Sequence, residues 1–132
     1  MTTLSMELQQ LAGEYVIARF PAATDSARVL EEAFAAGGFV AVSRTPQELT
    51  VVCTSGLDLP GAEVDGPWVA LYASGPMPFG LTGVVASLVS PLSAVNCAVF
   101  VVSTFDGDVL MVPVADASRA RGALLEAGHV LA

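Results

Sequence analysis

One short stretch of the chain combines glycine, a hydroxyl and the start of a predicted helix. It is Phe79-Gly80-Leu81-Thr82-Gly83, which follows a predicted strand. The first N–H groups of a helix have no partners inside it and carry the positive end of its dipole, so they attract anions such as a carboxylate. The Thr82 hydroxyl is a further donor for that anion. Alternatively, Gly80 and Gly83 permit tight turns and close packing, and Thr82 only caps the helix.

A second stretch offers the opposite charge. Asp108 follows a predicted buried strand and the turn dipeptide Asp106-Gly107. A carboxylate at this point can form a charge-assisted hydrogen bond with an ammonium or guanidinium group. Alternatively, Asp108 is a solvated hairpin residue or bonds its own backbone, as we expect of Asp106.

Two residues between that strand and that turn are further candidates. The main-chain atoms near Thr104 could take an extra partner, and Phe105 or Phe79 could cover the apolar part of a ligand. The alternative is that these residues serve strand packing and turn hydrogen bonds.

The first half of the chain predicts the order β-α-β-β. Its helix begins after Thr24-Asp25-Ser26, repeats Val29, Leu30, Ala33 and Phe34 at helical spacing, and ends at Gly37-Gly38. A connector rich in Gly, Pro and Asp, residues 55–67, is expected to be a surface loop. The predicted strands are 14–20, 39–44 and 48–54.

The second half predicts β-α-β-β-α-β, which is the ferredoxin-like order. Pro91 is expected to kink its first helix or to end a segment at Ser90. The valine-rich run 97–104 predicts a strand buried on both faces, and Pro113 is expected at the end or edge of the strand after it. The predicted strands are 68–74, 97–104, 109–114 and 129–131, and the predicted helices are 81–95 and 116 or 118 to 127.

Composition excludes several classes of partner. The net charge is −8, and the five basic residues are scattered arginines, so no basic stripe is present to neutralise nucleic-acid phosphates or anionic lipids. There is one histidine and no CxxC motif, so we expect no metal and no cofactor. Cys53 and Cys97 lie in apolar runs and are expected to be buried thiols.

The long uncharged stretch between Asp65 and Asp106 raises the question of a membrane helix. Gly75-Pro76, Pro78 and Pro91 interrupt it, and its flanking residues are acidic rather than basic. The first ten residues lack the basic and apolar regions of a signal peptide. We therefore expect a cytoplasmic protein.

Three segments resemble a known family: Phe79-Gly80-Leu81-Thr82-Gly83 with its apolar continuation, Ser90-Pro91-Leu92, and Ser103-Thr104-Phe105 followed by Asp108. They resemble the small bacterial tandem-ACT proteins and are similar to the ACT modules of the cytosolic arginine sensor upstream of mTOR in animals. The stretches GEYVIARF and GGFVAVSRTPQELTVVC also resemble the first half of the bacterial family.

The resemblance implies an α+β fold: a ferredoxin-like βαββαβ ACT module preceded by a truncated ACT-like βαββ module. The corresponding boundaries are 1–57 for the truncated module, 58–67 for the connector and 68–132 for the full module. It also implies a ligand site between modules, with the aspartate matching Asp108 on the ligand. The implied ligand-binding residues are Phe79, Gly80, Leu81, Thr82, Gly83, Thr104, Phe105 and Asp108.

The chain departs from the arginine sensor at one informative point. Gly80 and Leu81 stand where that sensor carries acidic residues. A cationic side chain would meet less negative charge here, so a small or apolar amino acid is as well matched as arginine.

The leading hypothesis is a non-catalytic regulatory ACT protein that binds a small molecule, an amino acid, and forms a homodimer. The alternative is a structural or protein-interaction ACT module with a degenerate ligand site. An enzyme is the least supported class, because the sequence contains no recognisable nucleophile–base pair or metal cluster.

Overall fold

The computed structural model describes residues 4–74 and 82–132, which contain eight strands, three α-helices and one 3-10 helix. The mixed α+β class is as predicted. The strands are β1 Glu7–Gln10, β2 Tyr15–Pro21, β3 Ala41–Arg44, β4 Glu48–Thr54, β5 Glu63–Ala73, β6 Phe100–Ser103, β7 Asp108–Pro113 and β8 Val130–Leu131. The helices are α1 Ala27–Ala35, α2 Val84–Ala94 and α3 Ala117–Glu126, with the 3-10 turn at Val114–Asp116.

Internal contacts divide the chain into two units, and the boundary falls inside β5. The first unit is residues 12–68, and the second combines residues 4–11 with residues 69–132. These units are defined by contacts. The boundaries predicted for the two ACT modules, at residues 57 and 68, stay a prediction.

In the first unit the strand order is β3-β4-β2-β5. Strands β2 and β4 pair antiparallel from Tyr15 opposite Thr54 to Pro21 opposite Glu48. The connector predicted as a loop over 55–67 is wrong from Glu63 onward, because Val64 pairs with Ala18 of β2. Backbone pairing with a neighbouring strand stabilises a segment whose Gly, Pro and Asp content favours a loop.

The end signals predicted for the first helix are confirmed, but only half of the residues predicted on its inner face are buried. Gly37 and Gly38 follow α1 with φ of 77° and 76°, the left-handed conformation that glycine accepts without strain. Val29 and Ala33 are buried in the core of the first unit, whereas Phe34 is 65% exposed. Phe34 is about 100° further around the helix than Ala33, which turns it outward.

In the second unit the strand order is β6-β7-β5-β1-β8. Strand β1 was not predicted; it pairs antiparallel with β5, with Leu8 opposite Ala73, and parallel with β8, with Glu7 opposite Val130. The N-terminal strand thus lies between the first and last strands of the predicted βαββαβ module. A segment of four residues has too little periodicity to predict a strand by itself.

The prediction that the run 97–104 forms a strand buried on both faces is wrong. Strand β6 begins only at Phe100, and its residues are half-buried or exposed. The buried strand is β7, where residues 108–112 are all buried. Among the described residues β6 pairs only with β7, whereas β7 lies between β6 and β5. Position in the sheet, rather than the apolarity of the run, decides burial. Pro113 ends β7, as predicted.

Helix α2 continues through Pro91, contrary to a break at Ser90. Proline has no N–H, so it leaves the carbonyl of Ser87, four residues earlier, without its helical partner. The Nε2 atom of buried His129 lies 2.8 Å from that carbonyl oxygen, and its Nδ1 atom accepts the Met6 N–H at 3.0 Å. Because Nδ1 is an acceptor, Nε2 carries the hydrogen and donates it to Ser87.

The core of the second unit packs helix side chains against its strands. Leu88 and Leu92 of α2 and Leu124 of α3 meet Leu71 of β5 and Leu110 of β7. No helix within residues 4–74 and 82–132 is long and apolar enough to cross a membrane.

Candidate functional site

Asp108 is a buried carboxylate at the first position of β7. It is 6% exposed and lies opposite Ser103 in the β6–β7 register. The Ser103 hydroxyl donates to Asp108 Oδ1 at 2.5 Å. The alternative of a solvated hairpin aspartate is therefore wrong. Within the described part of the chain, the Oδ2 atom of Asp108 accepts no hydrogen bond.

The turn that leads into Asp108 is closed by its own residues. The Thr104 N–H donates to the Gly107 carbonyl at 2.8 Å, and the Gly107 N–H donates to the Thr104 hydroxyl oxygen at 3.0 Å. Phe105 and Asp106 are exposed, and Phe105 at the tip of the turn is 77% exposed. The Thr104 amide and hydroxyl thus already take part in the turn, and its carbonyl is the remaining polar group.

The start of α2 lacks a side-chain cap. Gly83 is the N-cap residue with φ of 81°, and no side-chain hydrogen bond caps the helix. The alternative that Thr82 caps α2 is therefore wrong, and Thr82 is exposed. The first helical bond runs from the Ser87 N–H to the Gly83 carbonyl at 2.9 Å. Phe79, Gly80 and Leu81 lie outside the described residues.

The predicted residues fall into two groups, both in the second unit. Thr104, Phe105 and Asp108 share one hairpin end, and Thr82 and Gly83 precede α2. In the described parts of the chain no hydrogen bond joins the two groups.

Neither cysteine is placed to be reactive. Both are free and buried. Burial raises the pKa of Cys53 above 9.0. Burial, followed by the negative charge of Asp116, raises the pKa of Cys97, and the charge of Arg119 lowers it in part. A thiol with a raised pKa is a poor nucleophile at neutral pH.

The sequence alone does not reveal the role of His129, which follows the last predicted helix. It is 3% exposed and both of its ring nitrogens are hydrogen-bonded. A signal was present in Pro91, because a proline inside a helix requires another donor for the carbonyl four residues earlier. The sequence contains one histidine, but nothing local connects positions 87 and 129.

Comparison with known proteins places the chain in a class. Residues 63–126 match the sequence model of the ACT domain, a span that runs from the first residue of β5 to the last residue of α3. The regulatory subunit of aspartate kinase from Thermus thermophilus shares the fold, with a TM-score of 0.61 at 13% identity over 87% of this chain and 93% of that chain. The fold and the match define an α+β protein whose residues 63–126 match the ACT domain.

The nearer relatives are a bacterial and a human protein. The crystal structure of Atu0741 from Agrobacterium tumefaciens has a TM-score of 0.87 and 39% identity, covering 98% of this chain and 94% of that one. The chain belongs to the same family as Atu0741. The human protein CASTOR3P is 30% identical over 87 residues, covering 56% of this chain and 53% of its own length. The chain thus spans about half the length of this curated relative.

Proposed function

We propose that this protein is a regulatory ACT protein that binds an amino acid and catalyses no reaction. One observation carries the proposal: Asp108 is a buried carboxylate in the ACT-matched segment, and one of its oxygens is held by Ser103 while the other accepts nothing from the described residues. No buried side-chain oxygen of the described residues lacks a hydrogen-bond partner, so the Oδ2 atom of Asp108 keeps contact with solvent and is accessible to a ligand. A ligand ammonium would supply the missing partner.

The ligand carboxylate would bind at the other group of residues. The first N–H groups of α2 have no side-chain cap, and the backbone amides of Gly80, Leu81 and Gly83 with the Thr82 hydroxyl would hold the anion. Phe79 and Phe105 would cover the ligand stem. Gly80 and Leu81 bring no negative charge, which favours a small or apolar side chain over a cationic one.

Binding would act through association. We propose a cytoplasmic homodimer that pairs exposed strand edges, in which ligand favours one association state over another. The neighbours that share this fold include regulatory subunits of aspartate kinase, which supports a regulatory role. Light scattering with and without ligand measures the molar mass and so tests whether the ligand changes the association state.

A second candidate is an interaction module with a degenerate ligand site. It is favoured by the turn of residues 104–107, whose hydroxyl and amide groups bond one another. It is also favoured by the Ser103 hydroxyl, which already occupies one Asp108 oxygen.

A thermal-shift screen against the twenty amino acids separates the two candidates. A ligand at 100 times its Kd stabilises the native state by about 2.7 kcal/mol. A flat screen of the wild-type chain contradicts ligand sensing and favours the interaction module.

Two isosteric variants then test Asp108 itself. Asp108→Asn keeps an oxygen that accepts the Ser103 hydroxyl but removes the charge, so we expect a nearly unchanged apo melting temperature and no ligand shift. Ser103→Ala removes the hydrogen bond but keeps the charge, so it should lower apo stability by about 1 kcal/mol and retain the ligand shift. An undiminished ligand shift in Asp108→Asn would place the ligand elsewhere.

A further inference from the structure

An open groove of about 750 Å³ lies between α2 and α3 in the second unit. Its walls include Ala86, Ser90 and Ala94 of α2, Ala123 and Glu126 of α3, and Ala127 after it. Among the residues that the structure describes, its lining includes none of the proposed amino-acid site. The volume is within the range of ligand pockets, but the lining is dominated by small side chains.

Two of the polar side chains that line this groove, His129 and Ser87, are already paired. His129 uses one ring nitrogen for the Met6 amide and the other for the Ser87 carbonyl. The Ser87 hydroxyl donates to the Val84 carbonyl at 2.7 Å. A polar metabolite would therefore find few partners, whereas an apolar surface would lose nothing by covering them.

Helix α2 is unusual because it has no charged residue in its 11 positions. The outer face of a helix at the surface of a soluble protein is normally charged or polar. Here the exposed positions include Ala86, Ser90 and Ala94, and Val85 is 40% exposed. Small side chains allow a third helix to approach α2 and α3 closely.

Charge decides between the possible occupants. Glu126 is the single charged residue among the described residues that line the groove, and it has no hydrogen bond or ion pair with the described part of the chain. A second copy that docked through the same face would bring another Glu126 and no lysine or arginine among the described lining residues, so like charges would meet there. A cationic partner would be attracted both by Glu126 and by the whole molecule.

We propose that this groove docks an amphipathic helix of another protein, with its apolar side against α2 and α3 and a lysine or arginine beside Glu126. This is the helix-in-groove mode of recognition. It stands independently of amino-acid binding.

The test uses a fluorescent synthetic peptide of about 15 residues, long enough to pass α2. It has leucine and alanine on one helical face and lysine on the other, and a second peptide has glutamate in place of lysine. We expect the lysine peptide to bind at least tenfold more tightly by anisotropy. Its amide NMR perturbations should centre on residues 86–94 and 123–129.

Two matched variants locate the site. Ala94→Arg puts a bulky cation in the groove and should weaken lysine-peptide binding at least tenfold. Ala35→Arg makes the same change at the exposed last residue of α1 and should leave binding within twofold. Ser90→Arg replaces Ala94→Arg if the latter fails to fold, as judged by circular dichroism.

Three results of the peptide experiments would overturn the proposal, and a fourth comes from self-association. The three are no measurable binding of the lysine peptide, equal weakening by both variants, or amide perturbations outside the groove. Self-association of the wild-type chain that Ala94→Arg abolishes would also overturn it, by assigning the groove to a second copy.

Discussion

At the scale of single residues, Asp108 illustrates what a local pattern can predict. The sequence predicted the turn dipeptide before it and the strand after it, and both are present. Its burial and its bond to Ser103 depend on the hairpin register, which pairs the two residues directly. A carboxylate beside a turn is usually solvated, so only the packed sheet distinguishes this one.

His129 and Pro91 show a dependence between distant residues. Pro91 removes the helical partner of the Ser87 carbonyl, and His129 supplies another. The same imidazole accepts the Met6 amide and so attaches the segment that leads into β1. The histidine thus compensates a helix defect and holds the N-terminal strand.

This coupling leads to a prediction about stability. His129→Leu leaves the Met6 N–H and the Ser87 carbonyl unpaired, so it should lower the free energy of unfolding by about 2–4 kcal/mol. In a Pro91→Ala background the amide of residue 91 can bond Ser87, so the cost should fall by about 1 kcal/mol. Urea denaturation of the four chains measures both quantities. Additive effects would show that the two residues are independent.

At the scale of elements, the helices were predicted better than the strands. All three helices occur within about three residues of their predicted ends, because apolar periodicity and glycine stops are local signals. Strand β5 begins five residues before its predicted start at 68, and β1 was missed. Both errors concern segments that are strands because of their sheet partners.

At the scale of elements, replacing two glycines of the helices with alanine should change stability in opposite directions. Gly83, with φ of 81°, has its N-cap position in the left-handed region, so Gly83→Ala should destabilise by about 1–2 kcal/mol. Gly122 lies inside α3 and a Cβ there would meet no atom within 4 Å, so Gly122→Ala should stabilise by about 0.5–1 kcal/mol. Urea midpoints compare them. If both variants changed stability in the same direction, the left-handed backbone conformation of Gly83 would be contradicted.

At the scale of the whole molecule, each of the two units contains one free buried cysteine, Cys53 in the first and Cys97 in the second. Since the fold raises both thiol pKa values above 9.0, the native state holds these protons more tightly than the unfolded chain. Stability from this source is present below pH 9 and is lost as pH rises through the native pKa values.

The corresponding prediction concerns alkaline unfolding. The free energy of unfolding should fall as the pH rises above about 9, and the fall should be shallower in the Cys53→Ala, Cys97→Ala double variant. Urea titrations at a series of pH values supply the slopes. Identical slopes in the two chains would assign the alkaline loss to other groups.

The whole-molecule comparisons agree with the class predicted from short motifs. The ACT domain match over residues 63–126 contains the segments Phe79 to Gly83 and Ser103 to Asp108, which first suggested that family. The assignment of those residues to a ligand stays a proposal, since Phe79, Gly80 and Leu81 lie outside the described structure.

Local chemistry determined the α+β class, the glycine ends of α1 and α3, and the hairpin before Asp108. Tertiary structure decided the rest. It inserted β1 between β5 and β8, buried β7 rather than β6, and brought His129 to the carbonyl that Pro91 leaves open. The physical reason is the sequence separation over which each effect acts. Propensity and periodicity act over a few residues, whereas strand pairing and burial depend on partners more than forty residues away.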